Sequence, residues 1–159
     1  MMIHEIRPTA VRLWLAPMPP QSDNGPEDHL DRPDLTTRSL RVLIVEDEFF
    51  ISLDTTRLVQ NLGHVVVAVA VSADQAVALA EQERPDVVLM DIRLIGSRDG
   101  IDAAEEIRSR LGISSIFVTA NTDPQTRRRA AAAHPLGFLE KPLTEQRLRI
   151  GLAVFDGPD

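Results

Sequence analysis

The residues of this sequence with chemistry to offer are a lone lysine and a few acids. Lys141 is the only lysine, against sixteen arginines. An ammonium is a compact point charge on a flexible stem, whereas a guanidinium is a broad planar fork. A chain that uses arginine for every other cation and keeps one lysine marks a place where the fork does not serve. An ammonium suits contact with a single oxygen of a small anion such as a phosphoryl group. The candidate acids are the adjacent pair Glu46-Asp47 and the single Asp91, and Thr119 adds a hydroxyl. Taken singly, an acidic pair after an apolar run reads as a solvated loop, and a lone acid reads as a helix cap. Asp91 is a poor cap, because Asp99 is better placed at the start of the helix that follows.

What gives these residues meaning is the element each one ends. Val42-Leu43-Ile44-Val45 is a short continuous apolar run, as in a strand buried on both faces. Phe49 to Leu62 reads as a helix, with apolar Phe50, Leu53, Leu58 and Leu62 at near-helical spacing and Gly63 closing it. His64 to Val71 is a second strand. Ser72 opens an alanine-rich helix to about Glu83, and Gln75 completes a capping box. Val87 to Met90 is a third strand, ending at Asp91. Asp99 caps a helix from Gly100 to Leu111, which Gly112 stops. Ile113 to Thr119 is a fourth strand. Asp123-Pro124 is an N-cap followed by proline in the first turn, and the helix runs to about Ala133. Leu136 to Glu140 is a fifth strand, and Leu143 to about Phe155 a last helix. Strands alternating with helices imply right-handed crossovers and a parallel sheet covered on both sides. In such a sheet functional groups collect at the carboxyl ends of the strands. Glu46, Asp47, Asp91, Thr119 and Lys141 then share one edge. Three carboxylates in one place repel one another unless something neutralises them. A hard divalent cation such as Mg2+, held by oxygen ligands, is the natural solution.

With these residues placed, residues 40–155 resemble the receiver domain of two-component response regulators. The motifs that carry the resemblance are Val42-Leu43-Ile44-Val45-Glu46-Asp47-Glu48, Leu89-Met90-Asp91-Ile92-Arg93-Leu94, Asp99-Gly100-Ile101, Phe117-Val118-Thr119-Ala120 and Gly137-Phe138-Leu139-Glu140-Lys141-Pro142. The resemblance implies an α/β fold of flavodoxin-like, CheY-like type: a doubly wound five-stranded parallel sheet of order 2-1-3-4-5 with five flanking helices. It implies Asp91 as phosphoacceptor. It implies Mg2+ (or Mn2+) held by Glu46, Asp47, Asp91 and the main-chain carbonyl of Arg93. Lys141, the Thr119 hydroxyl and the Ala120 N–H are then expected to bind the phosphoryl group, with Phe138 as the aromatic that turns inward. The Lys141-Pro142 bond is expected to be cis, which only proline makes cheap. The first acidic position is Glu46, where the family more commonly has aspartate. The resemblance implies that Arg93 and Asn121, two residues past Asp91 and Thr119, occupy positions that tune dephosphorylation in the family.

Composition limits the alternatives. A formal net charge of −7 argues against non-specific nucleic-acid binding. The chain has no cysteine, so it offers neither a thiolate metal site nor a cysteine nucleophile. No apolar run approaches a membrane span, and the default location is cytoplasmic. Residues 1–39 hold six of the eleven prolines and the only tryptophan, Trp14. They read as an arm, in which Ile3 to Leu15 is the one segment apolar enough to dock. Residues 156–159 are a short tail, so the domain is expected to stand alone. Its donor would be a sensor histidine kinase or histidine phosphotransfer protein. Its output would be altered contacts with a downstream protein, a homodimer through the fourth helix, fifth strand and fifth helix, or a role as phosphate shuttle or sink. The run Arg127-Arg128-Arg129 reads as a solvated basic face and His134 as a loop residue. The alternative is a pseudo-receiver, an interaction module that never takes phosphate. A phosphatase with an aspartyl-phosphate intermediate needs a second acid two residues after the nucleophile, and Arg93 stands there.

Overall fold

The computed structural model describes residues 38–120 and 122–157. The expectations for residues 1–37, with Trp14 and the Ile3–Leu15 segment, and for Asn121 lie outside the described residues. The elements follow in the order β1 (Arg41–Val45), α1 (Phe49–Asn61), β2 (Val65–Ala70), α2 (Ala73–Glu83), β3 (Val87–Asp91), α3 (Gly100–Leu111), β4 (Ser115–Thr119), α4 (Pro124–Ala132), β5 (Gly137–Glu140) and α5 (Glu145–Leu152). The five strands form one sheet of order β2-β1-β3-β4-β5, and every pairing is parallel. The chain steps from β1 to β2 on one side and returns to β3 on the other, so the strand order reverses between β1 and β3. That reversal opens a crevice at the carboxyl ends of these two strands.

The two faces of the sheet come from alternation within single apolar runs. Leu43, Val45, Val88, Met90 and Phe117 face α2, α3 and α4 and meet Ala76, Ala80, Ile101, Ile107 and Ala130. Val42, Ile44, Val87, Leu89, Ile116 and Val118 face the other way and meet Val59, Leu148 and Leu152 from α1 and α5. Interior strands are thus apolar on both faces between their end residues, because both faces of the sheet are covered. Several predicted ends move by one or two residues: β2, β4 and β5 begin at Val65, Ser115 and Gly137.

Three expectations about the helices are corrected. The apolar spacing of Phe50, Leu53, Leu58 and Leu62 marks the packed side of α1 only in part: Leu58 and Leu62 are half-buried against the core, but Leu53 is exposed and the fully buried face is another. That face is Ser52, Thr55 and Val59, while Phe49 and Phe50 are 70% and 77% exposed. Small side chains let the helix lie close to the sheet, and the Ser52 hydroxyl is satisfied locally by donating to the Phe49 carbonyl at 2.7 Å. Gln75 does not complete a capping box with Ser72. The Ser72 Oγ accepts from the Gln75 N–H, but Gln75 Oε1 accepts from the Val71 N–H, one residue earlier. The last helix starts at Glu145 behind its cap Thr144, and its end tightens into a 3-10 turn over Ala153–Asp156.

The entry to β1 is tied down at its base. Arg38 pairs with Asp86 at 2.8 Å, and the Ser39 hydroxyl donates to the Gly63 carbonyl at 2.8 Å. The Leu40 N–H donates to Nδ1 of His64 at 3.2 Å, which requires that nitrogen to be unprotonated. Burial holds the His64 imidazole below its ordinary value, with the Asp156 charge opposing. A depressed folded-state value means that the unfolded chain binds the proton more readily, so stability is lost as pH falls below about 6.5. Denaturant unfolding between about pH 7.5 and pH 5.5 is expected to show this loss in the wild type and a flatter profile in His64→Gln. Identical profiles would remove His64 from the account.

Candidate functional site

The register of the sheet sets the site. Val45 pairs with Met90, so Glu46 stands level with Asp91 at the ends of β1 and β3. Asp91 pairs with Val118 and Thr119 with Glu140, which puts Thr119 one residue and Lys141 two residues beyond the level of Asp91 at the same edge. Glu46, Asp47 and Asp91 each offer a carboxylate oxygen, and these oxygens lie within 4.8 Å of one another. Glu46 and Asp91 are buried and Asp47 is half-buried.

Lys141 crosses from β5 to both buried acids. Its Nζ donates to Glu46 Oε2 at 2.7 Å and to Asp91 Oδ2 at 3.0 Å. The remaining oxygens are held by the backbone: Glu46 Oε1 accepts from the Glu48 N–H and Asp91 Oδ1 from the Arg93 N–H, both at 3.1 Å. Burial pushes the Glu46 carboxyl above the ordinary carboxylate range and the Asp91 charge adds to the rise, against the pull of Lys141 and the Glu48 N–H. Burial would lower the Lys141 ammonium, but its bonds to Glu46 and Asp91 outweigh it and hold the group above the usual lysine value. Three carboxylates face one ammonium. The excess is negative and the donors are hard oxygens, which is the donor set a divalent cation of the Mg2+ type requires.

The other expected residues lie around this centre. The Thr119 side chain is buried at the same edge, but its hydroxyl donates to the Ala120 carbonyl at 2.9 Å. The Lys141 N–H donates to the Thr119 carbonyl at 2.9 Å and ties the ends of β4 and β5 together. The contact that Arg93 makes with Asp91 is through its N–H, and its side chain is exposed. The Lys141-Pro142 peptide is cis. Phe138 is half-buried and stacks on Phe117 with ring centroids 5.7 Å apart. The Arg127 guanidinium lies 5.8 Å from the Phe138 centroid on the outside. A cavity of about 20 Å³ between Thr119 and Phe138 is lined by both, with Ala120, Thr122, Arg127 and Glu140. A larger cleft of about 340 Å³ runs from Lys141 and Pro142 along α1, past Ile51, Asp54, Thr55 and Leu58. His134 sits exposed in the turn before β5, with a positive φ of 50°.

Two residues make contacts at the site that their sequence context does not show. Gly100 opens α3 and donates its N–H to the Ile92 carbonyl at 2.9 Å. A Cβ at this position would stand 1.8 Å from the Asp91 carbonyl oxygen, so only glycine lets the start of α3 lie against the end of β3. The sequence signal is the Asp99-Gly100-Ile101 motif, which marks the start of the helix but not this close approach to the end of β3. The second is Arg129, expected on a solvated face; it pairs with Asp99 and Asp102 at the start of α3.

A doubly wound α/β domain with an acidic, lysine-bridged pocket at its switch point is the class that fold and site define. The family model for the response regulator receiver domain matches residues 42–153. The chain belongs to that family. The transcriptional regulatory protein PdtaR of Mycobacterium tuberculosis is 38% identical over 104 residues, which is 65% of this chain and 50% of PdtaR. The phyllosphere-induced regulator PhyR of Methylorubrum extorquens is 40% identical over 80 residues, 50% of this chain and 30% of PhyR. The chain thus spans half or less of these relatives' length. Among solved structures, the receiver domain of a modulated diguanylate cyclase from Desulfovibrio desulfuricans superposes with a TM-score of 0.70 at 32% identity, covering 73% of this chain and 92% of that one. The receiver domain of Erythrobacter litoralis PhyR gives a TM-score of 0.62 at 32% identity, covering 76% and 95%. Among the described residues no helix is long and apolar enough to cross a membrane.

Two substitutions test the geometry. Gly100→Ala forces backbone apart from backbone and is expected to cost about 2–4 kcal/mol in denaturant unfolding; a neutral result would show that α3 does not need this approach. Lys141→Met leaves two acids without their shared partner. The expected loss near pH 7 is about 1–3 kcal/mol, below that of a fully buried pair because the Lys141 side chain keeps 17% exposure. Protonation relieves a crowded carboxylate, so the deficit should narrow on acidification to about pH 5. A deficit independent of pH would mean that packing, not charge, is what Lys141 supplies.

Proposed function

We propose that this domain accepts a phosphoryl group on Asp91 from the phosphohistidine of a sensor histidine kinase or histidine phosphotransfer protein. The observation that carries the reading is the Lys141 ammonium set between Asp91 and Glu46 at the switch point of the sheet. An Asp91 carboxylate oxygen forms a bond to phosphorus as the P–N bond to the donor breaks. The imidazole leaves with the electron pair and takes up a proton, and Asp91 carries an acyl phosphate. Such transfers are governed by positioning and by stabilisation of charge on the phosphoryl oxygens. Lys141 already lies 3.0 Å from Asp91 Oδ2, so a group added there falls within reach of its ammonium. Thr119 and the Ala120 N–H receive another oxygen once the hydroxyl turns away from the Ala120 carbonyl. Glu46, Asp47, Asp91 and the Arg93 carbonyl would hold Mg2+ or Mn2+. When bound, the ion supplies positive charge against the carboxylates and the incoming phosphoryl group. Hydrolysis of the acyl phosphate resets the site.

The signal leaves through the neighbouring elements. Movement of Thr119 toward the phosphoryl group changes the cavity above Phe138, and Phe138 turns inward. The face that responds is α4, β5 and α5, where Arg127, Phe138, Arg147 and Ile150 line a cleft of about 250 Å³. A downstream protein or a second copy of the chain reads that face, and a cytoplasmic location suits a kinase donor. A ligand shifts such an equilibrium only through a difference in its affinity for the two arrangements. Incubation with acetyl phosphate and Mg2+ is expected to label the wild type and leave Asp91→Asn unlabelled, by intact mass. Persistent labelling of Asp91→Asn at another carboxylate would falsify the assignment. The absence of a Mg2+-dependent response of the wild type to beryllium fluoride would favour a module that never takes phosphate.

A further inference from the structure

Helix α4 has little apolar anchorage. Of its nine residues only Ala130 is buried. Most of its sequence, Pro124 to Ala132, is polar or small, and a helix of this kind is held in place by what its side chains grip.

The strongest grip is Arg129. Its Nη1 donates to Asp99 Oδ2 at 2.5 Å, and its Nη2 donates to Asp99 Oδ1 at 2.9 Å and to Asp102 Oδ1 at 2.8 Å. Both aspartates are already engaged as the capping box of α3. Asp99 Oδ1 accepts from the Ile101 and Asp102 N–H groups, and Asp102 Oδ2 accepts from the Asp99 N–H. Capping with a serine or threonine satisfies the same orphan donors without charge. Capping with two aspartates places like charges side by side. The helix dipole relieves part of that repulsion, and a cation relieves the rest. Here the cation arrives from α4, and its planar fork matches the carboxylate bidentately.

The other end of this contact leads to Asp91. Asp99 immediately precedes Gly100, and Gly100 lies against the Asp91 carbonyl so closely that no side chain fits between them. The start of α3 is therefore packed on the end of β3 and gripped by α4. On its own side α4 begins at Pro124, five residues after Thr119. Thr119 points its hydroxyl at the Ala120 carbonyl in this arrangement. Drawing Thr119 toward a group on Asp91 pulls on the connection that leads into α4, while Arg129 holds the helix to α3.

We propose that Arg129 is a latch: seated in the α3 capping box, it holds α4 in the arrangement described here and opposes the one that a phosphoryl group on Asp91 favours. The inference rests on Asp91 being the phosphoacceptor. Arg129 is a positioning residue, 45% exposed, and its variants are expected to fold.

The test uses the full chain with Arg129→Gln, Arg129→Lys and the wild type. Amide hydrogen exchange without any ligand reads the grip directly. In Arg129→Gln the amides of α4 should exchange roughly threefold to tenfold faster while those of α1 and α2 are unchanged. Titration with beryllium fluoride at fixed Mg2+, followed by NMR, reads the coupling. Half-saturation should fall roughly threefold in Arg129→Gln, because less is lost in leaving the starting arrangement. Arg129→Lys keeps the charge without the fork and should lie between the two. Unchanged exchange in α4, or unchanged or weaker beryllium fluoride binding beside a responding wild type, overturns the latch alone. A wild type that never responds overturns the phosphoacceptor reading and the coupling with it.

Discussion

Like-charge crowding at one edge of the sheet is the constraint on which the rest of the structure depends. Two carboxylates about 4 Å apart repel by roughly 4 kcal/mol at an effective dielectric of about 20. Here three offer oxygens within 4.8 Å of one another. No short-range feature of the acids resolves this. The resolution is brought in from the far side of the sheet by Lys141, fifty residues beyond Asp91 and ninety-five beyond Glu46. Such a contact exists only if β1, β3, β4 and β5 are in the right register, and register is set by apolar side chains on both faces. The core beneath the site is thus part of its electrostatics. A slip of one residue in any strand would send its polar end residue to the wrong face.

Much of this was legible in the sequence because each interior strand is a run of apolar residues interrupted by a polar one at its carboxyl end. The run identifies the strand, and the interruption identifies the edge. Val42 to Val45 followed by Glu46, and Val87 to Met90 followed by Asp91, are cases where the two signals coincide. Parallel pairing then brings the interruptions together without further information. The buried face of α1 was legible only toward its end, where Leu58 and Leu62 pack on the core; in its first half Phe50 and Leu53 satisfy the helical spacing while Ser52 and Thr55 are the buried residues. Apolarity misleads where close approach favours small residues and a hydroxyl can return its bond to its own backbone.

The parts that stayed hidden depend on distance rather than pattern. Gly100 is special because of what lies opposite it, the Asp91 carbonyl, and nothing in its neighbours announces that. Arg127, Arg128 and Arg129 form one charge run in the sequence but separate in space. Arg129 enters the α3 cap, Arg127 covers the Phe138 ring, and Arg128 is exposed. A run of like charges is therefore not one feature when a helix distributes it over different neighbours. On α4 that distribution matters more than usual, since so little apolar surface competes with it.

The solitary lysine has a consequence for chemical modification. Acylating agents and amine-directed labels attack unprotonated, accessible amines, and this chain has a single lysine side chain to offer them. The Lys141 side chain is 17% exposed, and its two carboxylate partners favour the protonated form of its ε-amine. The protein is thus shielded from lysine-directed modification over its whole side-chain surface while the pocket is intact. Reactivity at this one amine becomes a reporter for the integrity of the pocket itself, because unfolding of the pocket both separates Lys141 from Glu46 and Asp91 and exposes it.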